Sequence, residues 1–115
     1  MMGSFQKLSS MEEIESFIEE NELAFLYVTR PNCSVCHGLK PQIEAILDNY
    51  PKIYCATVDA SEIPEVAGRF EIFTVPVLLL FVHGKEYIRE ARIVHTEKFE
   101  EKVSRIYEHV ESESF

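Results

Sequence analysis

Cys33 and Cys36, separated by Ser34 and Val35, are the residues of this 115-residue chain best suited to chemistry. Two cysteines three positions apart meet the ~4.4–6.8 Å Cα separation of a disulfide when they lie in the first turn of a helix. Their neighbours predict that setting. Leu23 to Thr29 is an apolar run that reads as a buried strand, and Cys33 to Tyr50 repeats its apolar residues at helical spacing. A cysteine at a helix N-terminus meets unpaired N–H groups and the positive end of the helix dipole, both of which favour the thiolate. Cys33 is therefore expected to attack a substrate disulfide, with its pKa held below the ordinary thiol value. Arg30 stands close enough to add to this, or else points to solvent. Cys36, one turn inside, is expected to be shielded and to resolve the mixed disulfide.

Other chemistries draw on the same residues. Cys33 to His37 spells C-x-x-C-H, the string of c-type haem attachment. That reading implies export, and Met1 to Leu8 shows no apolar export run. Zinc could use Cys33, Cys36, His37 and Cys55, although no second CxxC or HxxxH supports it. Two incidental core cysteines are the plainest alternative, against which the spacing at a strand–helix junction argues. Three cysteines, two of them adjacent in this way, fit poorly with a disulfide-stapled secreted fold.

The remaining elements must position this turn. Met11 to about Asn21 reads as a helix, opened by Ser10 and Glu13 as a capping box. Ile53 to Asp59 and Val77 to Val82 read as buried strands. His83-Gly84-Lys85 marks a hairpin leading into Glu86 to Val94, whose mixed charges suit an edge strand. Pro64 to Phe70 is expected to be a short helix capped by Ser61. A last helix is expected from an N-cap at Thr96, with Phe99, Val103, Ile106, Tyr107 and Val110 on one face and a fraying tail from Glu111 to Phe115. Pro41 falls inside the helix after the cysteines and is expected to kink it. The βαβ order implies parallel pairing, and the final hairpin an antiparallel pair.

Length predicts one domain spanning residues 1–115. Acids outnumber bases 20 to 11, for a net charge of −9. Residues 11–22 hold six acids and no base, and residues 97–113 six acids and three bases, so the stretch between, which carries the cysteine turn, is nearly neutral. The acidity argues against nucleic acid and anionic membrane as partners. The longest apolar run, Val75 to Val82, is far short of the ~20 residues a membrane span needs. A cytoplasmic monomer is the expectation. No Rossmann glycine fingerprint is present, so no nucleotide cofactor is expected, nor a metal.

From about Leu23 to Val110 the chain resembles the thioredoxin family. The resemblance rests on LAFLYVT leading into CSVC, Pro41 five residues past the second cysteine, VDAS closing a strand, and TVPVLLLFVHGK about forty residues on. It implies an α/β thioredoxin-like fold, a central mixed sheet with helices on both faces. It implies a thiol–disulfide oxidoreductase acting on protein disulfides, with electrons from a thioredoxin-reductase-type donor or a low-molecular-weight thiol. It implies that Pro76 is cis and faces the cysteines, with Asn32, Val75 and Pro76 at the substrate site. Lacking an N–H, Pro76 can sit close to the sulfurs and leave the Val75 backbone free to pair with an extended substrate; a plain strand-start proline is the alternative.

Four positions depart from the family. Asn32 replaces the tryptophan before the first cysteine, and the chain has no Trp. Tyr27 stands where a buried acid relays a proton from the resolving thiol, and Cys55 where a buried lysine faces that acid. Both charges are lost together, which avoids an unpaired buried charge. His37 or water is then expected to deprotonate Cys36. Arg92 replaces a glycine near the groove, narrowing it, favouring an acidic substrate, or sitting harmlessly at the edge. Cys55 is most simply a core hydrophobe. An adaptor without turnover is the rival function.

Overall fold

A computed structural model describes residues 5–112. The order is β1 (Gln6–Leu8), α1 (Met11–Glu20), β2 (Leu23–Thr29), α2 (Ser34–Leu47), β3 (Tyr54–Asp59), α3 (Glu65–Phe70), β4 (Val77–Val82), β5 (Lys85–Ala91) and α4 (Thr96–Ser112). The strands form one sheet in the order β1-β3-β2-β4-β5. Its faces bury different residues of the same strands, as the two-residue period of a strand requires. Ala24, Leu26 and Val28 of β2 meet α1 and α3 through Ile14, Phe17, Val66 and Phe70. Leu23, Phe25 and Tyr27 meet α2 and α4 through Leu39, Ile43, Phe99 and Val103. Burial on both faces is why β2 and β4 read as unbroken apolar runs.

The pairing departs from the expectation at one point. β2 and β3 are parallel, with Thr29 beside Asp59, but β4 runs antiparallel to β2, with Val77 beside Val28. Strand β3 advances ~20 Å over six residues, whereas six-residue α3 recovers only ~9 Å. The chain does not return to the far end, and β4 starts at the end where β2 finishes. That end is where the cysteine turn begins. β4 and β5 pair antiparallel as expected, with β5 at the edge.

Local chemistry corrects several boundaries. Ser10 caps α1 by accepting the Glu13 N–H at 3.1 Å, but the Glu13 carboxylate accepts from Ser9, one residue before the expected partner. Pro64, not Ser61, precedes α3, because Asp59 has already engaged the Ser61 N–H and hydroxyl. Helix α4 opens one residue earlier than an N-cap at Thr96 implies: the Phe99 N–H donates to the His95 carbonyl. Its final turn runs to Ser112; the rest of the expected fraying tail lies outside the described residues. Strand β3 is less buried than expected, with Tyr54 exposed and only Ala56 and Val58 fully covered, since its outer neighbour β1 has three residues. β5 stops at Ala91, not Val94, because Arg92 turns into the left-handed region. No helix of the described residues is long and apolar enough to cross a membrane.

Candidate active site

The turn after β2 delivers both cysteines to the start of α2. Cys33 is the N-cap, in extended backbone conformation, and its carbonyl accepts the His37 N–H to start the helix. Its sulfur accepts the Cys36 N–H at 3.1 Å, one of the orphan donors of the first turn. The two residues are joined as a disulfide with Cα atoms 5.2 Å apart. Cys33 is half-buried, while Cys36 keeps only 1% of its surface. A partner can therefore reach the first sulfur and not the second. The donor aimed at Cys33 stabilises negative charge on that sulfur when the pair is reduced.

A shallow groove of about 680 Å³ passes the pair, bounded by the first two turns of α2, residues 74–76 and residues 92–94. Val75 and Pro76 line it, and the peptide between them is cis. Pro76 is buried and Val75 half-buried. Asn32 is exposed in the turn before Cys33 and does not line the groove. Arg30 is exposed, and its carbonyl receives the Cys33 N–H. The His37 ring is also exposed. Its Nε2 lies 3.0 Å from the Pro31 carbonyl oxygen, so that nitrogen carries a proton and ties the start of the turn to the helix. Zinc's four candidate ligands do not gather: among the described residues no three His, Cys, Asp or Glu side chains converge.

Two contacts escape reasoning from sequence. Tyr27 lies in the sheet beneath Cys36, 1% exposed, and its hydroxyl donates to the Cys36 carbonyl. Burial pushes its pKa up to about 12. Where the family carries an acid able to accept a proton, this chain carries a neutral donor engaged with the backbone. The apolar pattern placed Tyr27 in the strand but not which atom its hydroxyl would reach. The second is Arg92, with φ 66°, whose N–H donates to the Pro76 carbonyl at 2.9 Å. The signal for it was the glycine the family uses there, a residue for which left-handed backbone is free.

Cys55, on β3, is half-buried against the α2–α4 face. Its thiol is pushed up to about 12, first by burial and then by the nearby carboxylates of Asp48 and Glu44. It behaves as the packing residue expected.

The thioredoxin family model matches residues 6–107. The chain is 48% identical over 112 residues to the thioredoxin-like protein YdfQ of Bacillus subtilis, covering 97% of this chain and all of that one. It is 30% identical over 80 residues to thioredoxin-1 of Saccharomyces cerevisiae, covering 70% of this chain and 78% of the other. A solved thioredoxin from Trypanosoma brucei brucei superposes with a TM-score of 0.82 at 19% identity, covering 94% and 95% of the two chains.

Proposed function

The chain belongs to the thioredoxin family, and on that premise we propose how its thiol–disulfide oxidoreductase chemistry is divided among its residues. The reduced Cys33 thiolate attacks one sulfur of a protein disulfide and releases the other as a thiolate, which takes up a proton. The Cys36 thiol then loses its proton and attacks the Cys33 sulfur. The substrate leaves as a dithiol, and the two electrons it gained leave Cys33–Cys36 oxidised. The observation that carries this reading is the asymmetry of the pair: a reachable Cys33 sulfur holding the Cys36 N–H, and a covered Cys36.

The other roles follow from position. Val75 and Pro76 form the wall along which an extended substrate lies, and Asn32 flanks its approach to Cys33. Tyr27 is a poor base for Cys36, because its own proton is held up to about 12. Water takes the Cys36 proton, while His37, bound to Pro31, braces the turn. Electrons arrive from a thioredoxin-reductase-type donor or a low-molecular-weight thiol. The chain works as one domain and a monomer in the cytoplasm, where thiols are kept reduced.

Reduction of insulin disulfides by dithiothreitol tests the reading. The protein is expected to accelerate it, and Cys33→Ser to abolish the acceleration. Equal rates for the two proteins overturn the assignment. In the same assay His37→Ala is expected to keep the pH–rate midpoint; a displaced midpoint transfers the Cys36 proton from water to the imidazole.

A further inference from the structure

The groove beside Cys33 has a charge opposite to that of the molecule. The chain carries 20 acids against 11 bases, yet no acid lines this groove and its one charged lining residue is Arg92. The origin of the Arg92 side chain is fixed. Its backbone is left-handed at φ 66°, and its N–H holds the Pro76 carbonyl at 2.9 Å, so it is tied to the segment that forms the groove wall. Its guanidinium has no ion pair among the described residues, whereas Arg69 and Arg89 are committed to Glu15 and Glu86. Apolar surface shares the groove. Val35 is 60% exposed and Ile93 75% exposed, and both line the same groove.

A guanidinium is planar, always charged and less strongly hydrated than an ammonium, so it matches a carboxylate with two parallel hydrogen bonds. In a groove that also carries two uncovered aliphatic side chains, it favours a partner that offers an acid beside an apolar residue. We propose that Arg92 is a specificity-determining residue: it selects disulfide substrates carrying Asp or Glu, next to an apolar side chain, within a residue or two of the attacked cysteine. The proposal rests on Cys33 as the nucleophile, because only that assignment makes this groove the substrate's path. Exposed ion pairs are weak, so the discrimination is about three- to five-fold, and it is screened by salt.

Peptides closed by one disulfide and differing only at the residue beside one cysteine, Asp, Asn or Lys, test this. Their second-order reduction rates by the reduced protein are compared as ratios within each variant. Wild type is expected to reduce the Asp peptide about three- to five-fold faster than the Asn peptide and the Lys peptide slowest, the spread shrinking at ~0.5 M salt. R92N removes the charge with a residue that accepts left-handed backbone, and is expected to bring the Asp:Asn ratio to about one. R92K is expected to retain a ratio above one, and R92E to invert it. A wild-type ratio of one, or an undiminished ratio in R92N, overturns the proposal and leaves the Cys33 assignment standing. If wild type reduces every peptide no faster than Cys33→Ser, that assignment falls and the proposal with it.

Discussion

Tyr27 sets what the interior beneath the cysteines can do. Its hydroxyl holds the Cys36 carbonyl, and burial holds its proton up to about 12. Tyr27→Phe removes that bond and leaves one lone pair of a buried carbonyl without it, which costs about 1 kcal/mol at neutral pH. The pH dependence has a definite sign. The pKa of Tyr27 is higher in the folded chain than the ordinary value of 10.0, and that of Cys55 higher than 9.0. Their protonated forms therefore favour the folded state. The contribution is complete below the unfolded values and is lost as pH rises through the folded ones. Urea midpoints are expected to fall from about pH 9 towards pH 12, with a shallower fall in Tyr27→Phe. A slope identical in the two proteins contradicts the assignment. The cysteine pair itself was legible in sequence, because i,i+3 spacing at a strand–helix junction is a local property. The Tyr27 contact was not, because it depends on how deeply α2 seats on the sheet.

At the scale of elements, runs buried on both faces were read to the residue: Leu23–Thr29 and Val77–Val82 match β2 and β4. Their ends are set by polar turns on either side, so sequence marks them plainly. The direction of β4 was not legible, since an apolar run reads the same in either direction and the connection before it is long enough for both. Strand β5, which ends at left-handed Arg92, was read three residues too long, to Val94. His83 and Gly84 both take positive φ, which suits the two-residue hairpin between β4 and β5. Arg92 and Glu71 do so without glycine's freedom. Glu71 closes α3 at φ 55°, where a side chain is penalised, while its carbonyl and that of Phe70 are held by Arg89. Glu71→Gly is expected to stabilise the fold by about 0.5–1 kcal/mol, the relief at α3 exceeding the added freedom of the unfolded chain. A urea midpoint that rises with an unchanged slope checks it; a lowered midpoint contradicts it.

At the scale of the molecule, the sheet separates two cores that share its strands but none of their buried side chains, with half-buried Val75 packed against both. Ile14 belongs to one and Ile43 to the other, and both are fully buried. Ile14→Val and Ile43→Val are each expected to cost about 1 kcal/mol. The double variant is expected to lose the sum within about 0.5 kcal/mol, because the two side chains lie in different cores. A larger discrepancy in equilibrium unfolding shows that strain passes through the sheet. The same separation organises the surface. The acidic excess falls on the first and last helical stretches, and none of their acids lines the groove, so charge that resists association leaves the groove itself free of acids.

The disulfide joins residues only three positions apart. A ring this small removes little freedom from an unfolded chain, about 2 kcal/mol by loop-closure entropy, against ~4.7 kcal/mol for a ring of about a hundred residues. The bond therefore does little of the scaffold's fastening. Hairpin, sheet and the core on the α1–α3 face are built without it, and the other core includes only the buried Cys36 of the pair, with Cys33 at its margin. The protein can gain or give up an electron pair on every turnover with its architecture intact, so the sulfur pair acts as a consumable carried by a permanent frame.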